Sequence, residues 1–320
     1  VPEPTVPTPP TSSTDPSTPV QLAGQAVRGV LMGAADIVPG VSGGTVALVL
    51  GIYHRLITNV RNGALALGRL VRLDVRGFLE GLRAIEWRFL VPLAAGIGAS
   101  ILALSSAIET LLVEQPVRMA ALFFGLVLGS IAVATSLVQG WDARRLGTLA
   151  LTAAVTFGVL GLRSGTVDDP AWWVFFGSGA IAVCAMILPG VSGSFLLLML
   201  GMYDNVLAAV NDRDLLPLGV FVLGAVVGLA LFSQALHWGL VHHERTMLAA
   251  LIGLMVGSLR VLWPWPDGTD GTALSWPTED LWLPVTLAAT GFAVVVAITR
   301  LAERFEHRTD EDLRRELREP

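Results

Sequence analysis

The chain contains no lysine; all 21 of its basic residues are arginine. Chemistry that depends on a side-chain amine, such as a Schiff base, is therefore excluded. Its single cysteine, Cys184, rules out a disulfide framework. Charge is scarce: charged residues make up 15% of the chain against 53% hydrophobic, and mean hydropathy is +0.66. A soluble chain of 320 residues could not cover so much apolar surface, so lipid is the solvent for most of it. A soluble enzyme, a nucleic-acid binder and a disordered chain are all excluded on this ground. The net charge of -5 says little about partners. Nothing in the pattern calls for a cofactor or a metal.

The ends differ from the middle. Residues 1–20 carry seven prolines among Ser, Thr and acidic residues and read as a solvated tail. They lack the basic and apolar regions of a secretory signal. Residues 303–320 are dense in charge of both signs and read as a soluble cytoplasmic helix or tail. Between them, residues 21–302 form the expected membrane domain.

A helix needs about 20 apolar residues to cross the hydrocarbon core. Six stretches qualify or nearly do: 88–112, 118–140, 146–163, 216–240, 246–263 and 282–302. Two further apolar stretches, 22–57 and 172–209, are each interrupted by Pro-Gly-Val-Ser-Gly. Proline removes a backbone donor and glycine tolerates unusual dihedrals, so helices stop at Pro39-Gly40 and at Pro189-Gly190. Interrupted backbone at membrane depth survives only when buried in protein or lining a cavity.

Arginine placement tests the topology. With both interrupted segments as re-entrant hairpins and both termini cytoplasmic, seventeen arginines lie inside and four outside. All nine tryptophans fall near segment ends, where interfacial belts form. Residues 59–87 mix arginine with leucine and glycine and read as an amphipathic element on the cytoplasmic leaflet.

The chain repeats itself. Residues 36–57, DIVPGVSGGTVALVLGIYHRLI, match 186–207, MILPGVSGSFLLLMLGMYDNVL, at ten of 22 positions with an offset of 150. Residues 125–130, GLVLGS, match 253–258, GLMVGS, at an offset of 128. The amphipathic insertion accounts for the difference. The expected fold is thus an all-α polytopic membrane protein built as an inverted repeat. Each half is a Pro-Gly-broken re-entrant hairpin plus three transmembrane helices, with repeats at about 22–163 and 172–302. Three crossings per half invert the second copy, a design frequent in transporters.

After each break a helix restarts with unpaired N–H groups and a partial positive charge. Ser42 and Ser192 stand where they cap those helices or donate to a ligand. Gly43, Gly44, Thr45, Gly193 and Ser194 complete two small, polar turns that a bulky anion such as a phosphate can approach. Arg28 and Arg260 read equally as anion ligands or as interfacial anchors. Asp36, just before the first break, is a carboxylate at membrane depth and a proton-coupling candidate. Glu109 and His237 occupy matched repeat positions and form a second such candidate pair, though interfacial placement explains them equally well.

Four motifs, DIVPGVSGGT, FFGLVLGS, MILPGVSGS with LGMY, and LIGLMVGSLRVLWPW, resemble the signatures of the bacterial polyprenyl-phosphate transporter family. The resemblance covers about residues 22–302. It implies a cytoplasmic-membrane protein that returns undecaprenyl phosphate, or a related carrier lipid, from the outer to the inner leaflet for reuse in peptidoglycan and cell-envelope synthesis. The implied partners are that lipid and the bilayer, with proton coupling as an added expectation. A rival reading is a membrane undecaprenyl-pyrophosphate phosphatase, but the Ser-Arg element and glutamate-rich helix of those enzymes have no counterpart here. A small-anion channel or carrier is the second rival.

Overall fold

The computed structural model describes residues 19–37, 42–162, 167–265, 274–277 and 281–316. Among these residues the protein is all helix. The first half comprises α1 (Pro19–Asp36), α2 (Gly43–Val49), α3 (Tyr53–Val71), α4 (Val75–Arg83), α5 (Trp87–Glu114), α6 (Pro116–Leu137) and α7 (Ala143–Val159). The second comprises α8 (Trp172–Ile187), α9 (Gly193–Met199), α10 (Tyr203–Asn211), α11 (Leu215–Ser258) and α12 (Trp282–Glu316).

Four helices are long and apolar enough to cross a membrane, and a fifth span arises if the bent pair α9–α10 counts as one. The six expected stretches map onto fewer elements than expected. α11 takes in both 216–240 and 246–263, with its helical dihedrals broken at His243 (φ -138°, ψ 40°). The side chain of Met247 folds back against Gly239 at this break. A straight helix of this length would measure about 66 Å, twice the hydrocarbon core, so the break lets one element serve as two. The stretch 146–163 forms α7, only 17 residues long.

Local chemistry explains where the helices start. Asp74, Asp142 and Asp214 cap α4, α7 and α11 by accepting the backbone N–H of Gly77, Arg145 and Leu216. Pro116 opens α6, where its missing N–H costs nothing. The expected amphipathic element at 59–87 is a pair of helices, α3 and α4, turned at Leu73 (φ 60°). Asn59 and Arg55 tie α3 to the start of α5. The Arg55 Nε donates to Glu86 at 2.8 Å, Asn59 donates to Glu86 at 3.2 Å, and the Glu86 N–H returns to Asn59 at 2.8 Å.

Helices in lipid gain little by burying apolar surface against each other, so close backbone approach decides their packing. Four glycine pairs at i, i+4 spacing supply it. Gly29 and Gly33 of α1 press on Leu93 and Ile97 of α5; Gly224 and Gly228 of α11 press on Phe176 and Ala180 of α8. Gly125 and Gly129 of α6 press on Ala288 and Phe292 of α12; Gly253 and Gly257 of α11 press on Leu149, Thr152, Ala153 and Thr156 of α7. The first two crossings occupy equivalent places in the two halves, as do the last two. The apolar core lies between these pairs, around Ile57, Phe89, Leu93, Leu251, Ile252 and Met255.

Candidate functional site

The starts of α2 and α3 meet the second interrupted segment through three hydrogen bonds. Pro39 and Gly40, the first pair of expected breaks, lie outside the described residues. On the described side, the Thr45 hydroxyl accepts the Gly190 backbone N–H at 2.8 Å. The Ser42 hydroxyl donates to the Met186 carbonyl at 3.3 Å. The Tyr53 hydroxyl donates to the Ile187 carbonyl at 3.1 Å. Thr45 and Tyr53 are 1% and 3% exposed, so these bonds form where no water competes and their loss strands a buried polar group. Gly44 has no room for a side chain, since a Cβ there would crowd the Ile187 carbonyl.

The start of α2 is closed in this arrangement. Asp36 accepts the Gly43 N–H at 2.5 Å, Ser42 accepts the Gly44 N–H at 3.1 Å through its hydroxyl, and its carbonyl accepts the Thr45 N–H at 2.8 Å. Asp36 thus bridges the first break and holds the helix that follows it. Ser42 is a cap and an interlock at once.

The second motif is built differently. Gly190 sits at φ 82°, a conformation glycine takes without strain, and packs on Met255 and Ser258 in the last turn of α11. Pro189 precedes it in the same turn. Ser192 makes no side-chain cap; its hydroxyl pairs with that of Ser194 at 2.9 Å, at an exposed position. Gly193 packs on Met186 and Ala182. The repeat partners of three side chains that bond in or from the first motif explain the asymmetry. Thr45 matches Phe195, Asp36 matches Met186, and Tyr53 matches Tyr203, which is 36% exposed.

Arg260 lies close to this second motif. Phe195 and Met199 of α9 pack with Leu160 and Val261, the immediate neighbours of Gly161 and Arg260. The Arg260 guanidinium stands 4.6 Å from the centre of the Phe157 ring, and Gly161 leaves the room it needs. Around it opens a cleft of about 490 Å³ lined by Phe124, Phe157, Trp263, Ser275 and Trp276. Cation, indoles and phenyl rings together suit a membrane interface, where one end of a ligand is charged and the other greasy.

Other candidates fall elsewhere. Arg28 bonds to Gln25 on its own helix at 3.4 Å, eight residues and about 12 Å of helix rise before Asp36. Glu109 lies on α5, and its side chain is outside the described set. His237 lies on α11 beside His54, with ring centres 6.0 Å apart, and its Nδ1 is 3.5 Å from the Thr58 hydroxyl. Sequence reasoning missed the roles of Thr45 and Tyr53 as interlocking groups. A signal existed for Tyr53, since the two tyrosines of the chain are repeat partners.

All-helical among its described residues and carrying several apolar spans, the chain is a multi-pass membrane protein. Comparison with known sequences gives its kinship. A profile described as undecaprenyl phosphate translocase-like matches residues 32–276, and the chain belongs to that family. It is 40% identical over 250 residues to the polyprenyl-phosphate transporter of Vibrio cholerae, covering 78% of this chain and 79% of that one. It is 27% identical over 297 residues to the polyprenyl-phosphate transporter of Staphylococcus aureus, covering 88% of this chain and 97% of that one. No solved structure matches.

Proposed function

We propose that the protein moves undecaprenyl phosphate, or a related polyprenyl phosphate, from the outer to the inner leaflet of the bacterial cytoplasmic membrane, with both termini cytoplasmic. The observation that carries this reading is the hydrogen-bonded junction of the two interrupted segments, Thr45 to Gly190 and Ser42 to Met186. Two such segments in an inverted repeat, each a re-entrant hairpin, give a site between halves that can rock against each other. The family and the names of its relatives supply the substrate class.

The phosphate headgroup enters at the Arg260 cleft and passes to the exposed hydroxyls of Ser192 and Ser194, while the isoprenoid tail stays in lipid. The cleft supplies a permanent cation, and its aromatic walls cover the first isoprene units. A second acceptor site forms when the first motif opens. Protonation of Asp36 removes the charge from its bond to Gly43, weakens that bond and releases the first N–H groups of α2, with Gly43, Gly44, Ser42 and Thr45, toward the phosphate. Glu109 and His237 are further proton-coupling candidates at matched positions of the repeat, and Arg28 serves as a cation on the entering half-helix.

The test is reconstitution in liposomes with undecaprenyl phosphate and an impermeant phosphatase outside. Accelerated access to inner-leaflet lipid, slowed by Ser192→Ala with Ser194→Ala and by Arg260→Gln, is the expected result. Absence of acceleration in vesicles of verified protein content sinks the proposal. Phosphate release from the lipid diphosphate would support the phosphatase instead, and phosphate or chloride flux without lipid movement would support a small-anion carrier.

A further inference from the structure

A second cationic and aromatic cleft lies at the break in α11. Four of the five histidines in the chain gather there: His54, His237, His242 and His243. The rings of His54 and His237 face each other at 6.0 Å. Trp238 stacks on His242 at 5.2 Å and lies 5.4 Å from His243, the residue with non-helical dihedrals. Arg61 completes the wall of a cleft of about 470 Å³, which Gln234, His237, Trp238 and His242 also line.

Helical spacing builds this wall from two elements. His54, Thr58 and Arg61 stand at i, i+4 and i+7 on α3, so they share one face. Gln234, Trp238 and His242 stand at i, i+4 and i+8 on α11 and share another. The two faces meet because α3 packs on α11, and Tyr53, next to His54, donates to the Ile187 carbonyl at the end of α8.

Its chemistry is one-sided. Arg61 is a permanent cation with a planar donor fork. The Gln234 amide donates one N–H to the Ala230 carbonyl and keeps a second, and the His242 Nδ1 lies 3.0 Å from the Trp238 carbonyl, so its Nε2 adds a donor when the ring is protonated. The described lining contains no carboxylate. Donors without a competing anion fit an oxyanion, and Trp238 gives the wall the amphipathic face of an interfacial residue. The second part of α11 runs from His243 to Ser258, and Arg260 follows two residues later. The Arg61 and Arg260 clefts therefore lie near opposite ends of one helix, about 25 Å apart by helix rise, close to the thickness of the hydrocarbon core.

We propose that the His54–Arg61–His237–His242 cleft is a second phosphate station, holding the phosphate monoester headgroup of a polyprenyl lipid at the membrane face opposite the Arg260 cleft. The station rests on the transport reading for the identity of its lipid, and on its own geometry for its affinity for phosphate.

The full-length protein, labelled with ¹⁵N-histidine in lipid nanodiscs, is titrated with farnesyl phosphate, farnesol and inorganic phosphate. Farnesyl phosphate shifts the imidazole signals of His237 and His242 saturably, and farnesol does not. Arg61→Gln weakens that binding at least tenfold, Arg61→Lys recovers part of it, and Arg76→Gln on the exposed face of α4 leaves it unchanged. If Arg61→Gln does not fold, His242→Gln at its exposed position replaces it, with the same tenfold expectation for the His237 signal. Equal affinity for inorganic phosphate overturns the lipid headgroup as the ligand. Absence of a shift, or an unchanged affinity in the folded variant, overturns the station itself. The same preparations in the liposome assay separate the two readings. Lipid movement without imidazole shifts removes the station and leaves transport standing. Imidazole shifts without lipid movement remove transport and leave a phosphate-binding cleft.

Discussion

The Thr45 hydroxyl and the Gly190 N–H, 145 residues apart in sequence, form a buried 2.8 Å hydrogen bond that joins the two interrupted segments. Thr45→Val keeps the shape of the side chain and removes the acceptor. The Gly190 N–H is then left buried and unpaired, at a cost of about 1–3 kcal/mol. Thermal unfolding of the purified protein should show a lowered midpoint for Thr45→Val and a near-normal one for Thr45→Ser.

Ser42 and Ser192 occupy the same repeat position and should respond differently. Ser42 caps α2 and bonds to Met186, so Ser42→Ala should cost about 1 kcal/mol or more from the cap alone. Ser192 makes no cap, so Ser192→Ala should leave the unfolding midpoint in place while slowing lipid translocation. Equal loss of stability in both variants would contradict the asymmetry of the two motifs.

The helical glycines should divide into essential and idle positions. A Cβ at Gly125 would collide with the Ala288 carbonyl, whereas one at Gly98 meets nothing. Gly125→Leu should abolish accumulation of folded protein, and Gly98→Ala should be neutral within about 0.5 kcal/mol. Size-exclusion profiles in detergent report both.

One ion pair outside the spans gives a pH signature. The side-chain bond from Arg55 holds the Glu86 carboxyl below its ordinary value; burial opposes this shift and Asn59 assists it. A depressed carboxyl stabilises the fold above its unfolded value near 4.5, and this contribution is lost as pH falls through the lower folded value. Both side chains are almost half exposed, so solvent screening limits the effect to about 0.2–1 kcal/mol. Unfolding midpoints measured from pH 6 down to pH 3 should fall more steeply for the parent than for Glu86→Gln.

Much of the candidate site was legible from residue types. Pro-Gly in apolar runs announced the interruption before α9, and Ser42 was legible as a cap or a ligand donor; the equivalent turns at Gly51 and Gly201, with φ 70° and 66°, were not read from the sequence. Thr45 was legible only as a polar residue after a turn, because its partner lies in the other half of the chain. His54 and Arg61 were hidden for the same reason, the first at the end of an apolar stretch and the second inside a segment read as a surface element.

The sequence by itself determined the solvent, the helical class, the repeat and the position of the breaks. These follow from local quantities: hydropathy over a span, a missing amide proton, the dihedral freedom of glycine. Only the tertiary structure decided what each motif bonds to, the first reaching the second segment through Ser42 and Thr45 and the second pairing Ser192 with Ser194. A hydroxyl bonds to whichever carbonyl or amide the fold brings within about 3 Å, and in this chain that choice was made by glycine-mediated helix crossings between segments far apart in sequence.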